Sequence, residues 1–181
     1  MLEGNVVNLR LMEKEDISLI HEWHNNVFLS GIYNQLHQST REQMEQRFTE
    51  SQSHSDSQAR MQFFIELKDG TKVGSIGAWK DRSRFYTMGA SILPEYRKKG
   101  YCTEATALLI DYLFLSDTVE RIQALANVDN TGSLKTLQKA GLQKEGILRN
   151  YAFVYGHWAD MVMLSIVREE WHHPKVLKLP Q

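Results

Sequence analysis

The run Ile92-Leu93-Pro94-Glu95-Tyr96-Arg97-Lys98-Lys99-Gly100-Tyr101-Cys102-Thr103-Glu104-Ala105 holds the residues best suited to chemistry. Three adjacent cations, Arg97, Lys98 and Lys99, precede Gly100. Strand formers Phe85 to Ile92 come before them, and a helical stretch to about Leu115 follows. Pro94 ends the strand because it cannot donate to a ladder. A basic loop running from a strand into a helix brings unpaired N–H groups and the positive end of the helix dipole to one point. That arrangement can cradle a phosphate, and Gly100 lets a ligand approach the backbone. A merely solvated strand-to-helix loop has the same composition, so the triplet alone does not decide. The patterns GxxxxGK[ST] and GxGxxG are both absent, which argues against a nucleoside-triphosphate loop and a dinucleotide site.

The elements that must position this loop follow from hydrophobic pattern and turn chemistry. Val6 to Met12 alternates as a strand, and Glu13 to His24 reads as a helix with Ile17, Ile20 and Trp23 near one face. Thr40-x-x-Gln43 predicts a capping box opening a second helix, and Ser51 to Ala59 reads as a polar surface loop. Met61 to Leu67 and Lys72 to Trp79 read as a hairpin closed by a tight primed turn at Asp69-Gly70. A turn at Asp81 to Ser83 leads to Phe85–Ile92, completing a three-stranded meander. In the helix after the loop, Glu104 and Asp111 are seven apart and share a face expected to be wet. Arg121 to Ala126 is the next strand, which predicts a parallel crossover from Phe85–Ile92.

A second loop, Ala126-Asn127-Val128-Asp129-Asn130-Thr131-Gly132-Ser133, leads into a helix that stops at Ala140-Gly141. Asn and Asp cap helices, and a plain capped helix accounts for these residues taken alone. Gln143–Val154 and His157–Val167 read as a closing hairpin around Gly156, and residues 169–181 as a tail.

At 181 residues the chain suits one domain. Its net charge of −1 supplies no global attraction for nucleic acid or anionic membrane, so any anion site is local. The single cysteine, Cys102, excludes an internal disulfide framework and fits a reducing compartment. Without a basic n-region and apolar core at the N-terminus, or any 18-residue apolar run, a cytoplasmic, non-membrane protein is expected. His172-His173 has no paired Cys or acidic spacing, so no metal is expected. The absence of GxSxG opposes acyl-enzyme chemistry.

The order Arg97-x-x-Gly100-x-Cys102, after a strand and opening a helix, resembles the acetyl-CoA pyrophosphate loop of the GNAT superfamily of N-acetyltransferases. Cys102 stands where that family has Gly or Ala, a small residue but a departure. Asn127, Asn130, Ser133 and the Gly141 stop resemble the family's second signature. Glu145-Gly146-x-Leu148-Arg149 and Gly156-x-Trp158-x-Asp160 resemble the RimJ/RimL-like branch. The resemblance covers about residues 5 to 168. It implies one α+β domain over 1–168, with a mixed, mostly antiparallel sheet of six to seven strands and about four helices. It also implies that Phe85–Leu93 and Arg121–Asn127 splay to admit the pantetheine arm. A homodimer is common among such enzymes.

The resemblance implies acetyl-CoA as co-substrate and an amine as acceptor, with direct transfer in a ternary complex. The pyrophosphate calls for the backbone of Lys98, Lys99, Gly100, Tyr101, Cys102 and Thr103 with Arg97 nearby. The arm calls for free strand groups near Ser91, Ile92 and Leu93, and an N–H at Ile92 or Leu93 would stabilise the oxyanion. Asn127, Asn130 and Ser133 complete the cofactor set. The attacking amine must be neutral, which is easier for an α-amine of pKa about 7.7–8.0 than for a lysine amine of about 10.4. Ser133 is the expected proton donor to the leaving thiolate. Leu137 stands where many family members have a tyrosine, and Ala152 where RimL-type enzymes have a glutamate. Tyr151, Glu66, Asp160 or a water chain then remain as proton acceptors. The acceptor pocket is expected from residues 26–40, the loop before the hairpin, and Tyr151–Trp158. The missing glutamate and tyrosine keep open a CoA-binding sensor without catalysis, and a nucleic-acid role for Arg97–Lys99 lacks a basic-aromatic stripe.

Overall fold

The computed structural model of the protein describes residues 1–53, 60–80 and 85–179, with the backbone alone for 51–53. In chain order the elements are β1 (Leu2–Glu3), β2 (Val7–Leu11), α1 (Ile17–Asn25), α2 (Val27–Ser30), α3 (Arg41–Ser53), β3 (Arg60–Leu67), β4 (Lys72–Lys80), β5 (Phe85–Ile92), α4 (Tyr101–Ser116), β6 (Arg121–Asn127), α5 (Thr131–Lys139), β7 (Gln143–Val154) and β8 (His157–Val167). The strands form one sheet in the order β1-β2-β3-β4-β5-β6-β8-β7. Every neighbouring pair is antiparallel except β5 and β6. The expected six or seven strands become eight because Leu2–Glu3 adds an edge strand beside Leu9 and Asn8. The four main helices become five because Val27–Ser30 forms one turn, capped where the Asn26 side chain accepts from Phe28 and Leu29 N–H.

Two layers of helix cover the sheet. Helices α4 and α5 pack on one face, where Tyr86, Met88, Ile92, Ile122, Ala124, Ala126, Val162, Leu164 and Ile166 join Leu108, Leu109 and Leu113 in the main core. At one end of the other face a smaller cluster of Met12, Ile20 and Phe64, with Leu19, Trp23 and Met44, seats α1 and α3 on β2 and β3. Alternation along each strand assigns the two faces. Half-buried beside this cluster, Arg10 donates to Glu66 at 2.8 Å and to both Asp16 oxygens at 2.9 Å. The guanidinium holds the Asp16 carboxyl below its usual range.

Several expectations hold residue by residue. Thr40 and Gln43 form the capping box reciprocally, at 2.9 and 3.2 Å. The hairpin of β3 and β4 forms, but its loop is longer than a two-residue primed turn. Leu67 N–H donates to the Thr71 carbonyl and Gly70 N–H to Leu67, with Gly70 at φ 87° and a register shift at Ile65/Glu66. The extra residues match a turn with a left-handed glycine, the next commonest hairpin closure. The polar loop expected from Ser51 begins later, since α3 runs to Ser53. The rest of that loop and the turn at Asp81–Ser83 lie outside the described residues.

The expected wet face of α4 is a correction. Asp111 is 1% exposed and accepts from Trp171 Nε1 at 2.9 Å and from Lys175, Val176 and Leu177 N–H at 2.8, 2.8 and 3.1 Å. Glu104 accepts from Val6 and Val7 N–H at 2.6 and 3.1 Å. Both carboxylates dock chain ends onto α4, so residues beyond 168 are not a free tail. Seven-residue spacing placed them on one face correctly but could not show that terminal backbone covers it.

Candidate active site

The central feature lies between β5 and β6. Their parallel register runs from Phe85↔Arg121 to Met88↔Ala124 and stops there. Both strands continue, β5 pairing with β4 as far as Gly74↔Ile92 and β6 pairing with β8 as far as Asn127↔Met161. They therefore part in mid-sheet, and Gly89, Ala90 and Ser91 are exposed although β5 has neighbours on both sides.

Hydrogen-bond parity identifies the groups that face the fork. Leu93 N–H donates to the Val73 carbonyl at 2.9 Å. Antiparallel alternation then points Gly89, Ser91 and Leu93 toward β4, and Ala90 and Ile92 toward the fork. On β6, Val128 N–H donates to Asp160 at 3.1 Å, so Leu125 and Asn127 face the fork from the other side. The Ile92 carbonyl accepts from Arg97 Nε at 3.0 Å and the Asn127 carbonyl from Asn130 N–H at 2.9 Å. Ile92 thus presents an N–H, and Ala90 both an N–H and a carbonyl. Of the expected trio Ser91, Ile92 and Leu93, only Ile92 has a backbone donor directed here. Leu93 is corrected as an oxyanion donor because its N–H is spent on Val73. Ala90 is absent from the expected set because the strand register that turns its backbone to the fork depends on the partner of Leu93.

The loop after β5 curls sharply, with Lys98 at φ 61° and Gly100 at φ 84°. A Cβ on Gly100 would meet no atom within 4 Å, so the approach to the loop is open. No backbone carbonyl among the described residues accepts from Lys98, Lys99 or Gly100 N–H, and the first bond into α4 is Glu104 N–H to Gly100 at 3.1 Å. The N–H groups of this loop and of the first turn of α4 therefore have no partner within the helix, as at any helix start. Lys99 Nζ lies 5.3 Å from the Tyr96 ring centroid. Arg97 stands beside the loop and is held by carbonyls of two elements. Besides Ile92 it donates to the Leu29 carbonyl at 3.3 Å, joining α2 to the loop. Burial pushes the Cys102 thiol up to about 11, so it is neither a thiolate nor a nucleophile near neutral pH.

Ser133 sits in the first turn of α5, just past the β6 side of the fork. Its N–H is capped by Asn130 Oδ1 at 3.0 Å, and Asn127 Oδ1 accepts from Asp129 N–H at 2.9 Å. The two asparagine oxygens are thus engaged in shaping the loop. The Ser133 hydroxyl has no hydrogen-bond partner among the described residues, which leaves it available to a ligand.

The candidate proton acceptors separate by position. Glu66 is buried against Arg10 on β3, two strands from β5, and is spent on that network. Asp160 lies beside the β6 end, where one oxygen accepts from Asn150 N–H at 2.8 Å. Tyr151 is 54% exposed on β7. Ala152 is buried, packed with Val154 and Ala159. Among the described residues no cluster of three or more His, Cys, Asp or Glu could hold a metal ion, and no helix is long and apolar enough to cross a membrane.

This geometry agrees with what the chain resembles. A stretch of 73 residues is 41% identical to an uncharacterized N-acetyltransferase, p20, of Bacillus licheniformis, covering 40% of this chain and 41% of that protein. Over 176 residues, 94% of this chain and 91% of the other, it is 24% identical to the spermidine N(1)-acetyltransferase of Escherichia coli K12. The fold matches a spermidine N-acetyltransferase from Vibrio cholerae, crystallised with CoA and spermine, at a TM-score of 0.80 and 20% identity over 91% of this chain and 96% of that one. Residues 7–143 match the family described as "Acetyltransferase (GNAT) domain", which takes in the forked strands, the basic loop and Ser133, and the chain belongs to that family.

Proposed function

We propose that the protein is an acetyl-CoA-dependent N-acetyltransferase that passes the acetyl group directly to a primary amine. The parting of β5 and β6 beyond Met88 and Ala124 carries this reading, because it leaves strand groups without strand partners beside an anion-binding loop. Acetyl-CoA would supply the activated acyl group. The residues fit it: the loop from Lys98 to Thr103 leads into a helix start with no side chain over Gly100, and Ala90 and Ile92 offer an extended edge for an amide arm. The Ile92 N–H can hold a carbonyl oxygen as it gains negative charge. The Ser133 hydroxyl can give a proton to a departing thiolate. The amine loses its proton to Asp160, Tyr151 or water.

The finer assignments rest on different residues. Glu145-Gly146-x-Leu148-Arg149 and Gly156-x-Trp158-x-Asp160 support a RimJ/RimL-like enzyme acting on protein N-termini. The relative named for spermidine supports a small-molecule amine. A cytoplasmic enzyme, working alone or as a homodimer, fits either. The test is calorimetric titration with acetyl-CoA, followed by thiol release with peptides, polyamines, amino sugars and aminoglycosides. Binding with release on one amine class is expected. Absence of acetyl-CoA binding would overturn the proposal, and binding without release on any amine would leave a CoA sensor in its place.

A further inference from the structure

The sheet face opposite α4 and α5 has a composition that bears on the acceptor. At the fork this face is floored by small residues, Gly89 and Ser91 on β5, with Trp79 beside Gly89 at 3.8 Å from where a Cβ would stand. Across the fork it continues as Leu125, with Met163 opposite it, and Met161 opposite Asn127. Trp79 is 41% exposed, and the other three are half-buried. The apolar cluster that seats α1 and α3 lies over β2 and β3 and does not include this row, whose Met161 packs at the β8 end against Ala152, Val154 and Ala159. The row meets the fork directly, where Ala90 and Ile92 present their backbone.

Among the described residues, Glu145 is the carboxylate beside the row on this face, and it is already neutralised, while Asp160 at the fork end of β8 has one oxygen taken by Asn150 N–H. Glu145 accepts from Arg121 at 2.8 Å and from the Ser165 hydroxyl. Arg121 also donates to Gln123, and Gln123 donates to Thr87, at 3.2 Å each. On the β5 side α2 is tied to the loop by Arg97, which donates to the Leu29 carbonyl at 3.3 Å. Residues 26–40 contain no Asp or Glu, while Phe28, Ile32 and Leu36 in that segment are 89%, 66% and 55% exposed.

We infer that the acceptor is a monoamine with an apolar body, lying along the row of Trp79, Leu125, Met161 and Met163 with its nitrogen at the fork. This rests on the acetyltransferase reading above. A chain of two or three ammonium groups taken from water needs a carboxylate for each, and an unpaired charge against an apolar wall is strongly disfavoured. An aryl or branched alkyl group gains from the same wall in proportion to the area it covers. The one amine that must enter loses its charge before it reacts, so a neutral face suits it.

The experiment compares 2-phenylethylamine with spermidine at saturating acetyl-CoA, following thiol release. The expected result is a kcat/KM at least tenfold higher for 2-phenylethylamine. Met163→Asp should narrow that ratio at least fivefold while acetyl-CoA affinity by calorimetry stays within twofold. Spermidine preferred by the wild type overturns the inference and leaves the acetyltransferase reading intact. Acetyl-CoA binding with no thiol release from either amine or any other overturns both. A ratio unmoved in folded Met163→Asp removes the row as the acceptor's seat.

Discussion

Met88 and Ala124 are the last residues of β5 and β6 that face each other as partners, although both strands run on. Beyond them each strand keeps its outer neighbour and loses its inner one. Ala90 is the first β5 residue past the fork whose N–H points inward, since Gly89 and Ser91 point to β4. Ala90→Pro deletes that N–H without removing a β4 bond, whereas Ser91→Pro removes a ladder bond opposite Ser75. Acetyl-CoA affinity should fall about tenfold in Ala90→Pro, the worth of one hydrogen bond at about 1.4 kcal/mol. Its melting temperature should stay well above that of Ser91→Pro. The reverse order of melting temperatures would show the parity to be misread.

Gly100→Glu places a carboxylate where the open approach to the loop now lies. Bulk and like charge both oppose a pyrophosphate there, and binding of acetyl-CoA should drop below detection in calorimetry. Because Gly100 has φ 84°, any side chain adds a conformational cost of about 1 kcal/mol. Gly100→Ala bears that cost without the charge and should keep measurable binding. Equal affinities for wild type and Gly100→Glu would remove the loop as the anion site.

Cys102 tests the electrostatics of the helix start. An exposed thiol at a helix N-terminus is usually more acidic than a free one, yet burial pushes this thiol up to about 11. At pH 8 the thiolate is then about one part in a thousand, against about a tenth for a thiol at 9.0. Alkylation by iodoacetamide at pH 8 should run about a hundredfold slower than that of a free cysteine. Cys102→Ala should retain acetyl-CoA binding. Rapid labelling of the folded protein would place the thiol in solvent and void the assignment.

Much of this was legible before the structure, and the gaps have physical causes. The meander, the basic loop, the crossover and the closing hairpin follow from alternation, Pro94, Asp69-Gly70 and Gly156, all local signals. Direction of individual N–H groups was not legible, because it depends on which partner Leu93 takes. The partners of Arg97 were not legible either, because the Ile92 and Leu29 carbonyls reach its guanidinium from separate elements. Asp111 was read as solvated because a heptad spacing reveals a shared face and not what covers it.

Asp111→Ala should be the most damaging change far from the fork. It would strand the Lys175, Val176 and Leu177 N–H groups and the Trp171 indole in a part-buried site. Removing a buried carboxylate with several donors costs about 3–5 kcal/mol. The urea midpoint should fall accordingly, and hydrogen exchange should rise first over residues 171–177. A shift of less than about 1 kcal/mol would mean that Phe114 and Trp171 packing, with rings 5.5 Å apart, anchors the segment by itself.

Ser133 is the sharpest test of the chemistry. Its N–H is fixed by Asn130, which orients the first turn of α5, and its hydroxyl remains uncommitted among the described residues. Ser133→Ala keeps the cap and removes the hydroxyl, so folding and acetyl-CoA affinity should stay within about twofold. A proton donor to a leaving thiolate contributes about a hundredfold or more, and kcat with a verified amine should fall by that amount. Ser133→Thr keeps a hydroxyl and should recover most of the rate, which a purely structural serine does not require. Undiminished turnover in Ser133→Ala would transfer the thiolate's proton to solvent, and Ser133 would then be no more than a first-turn residue of α5.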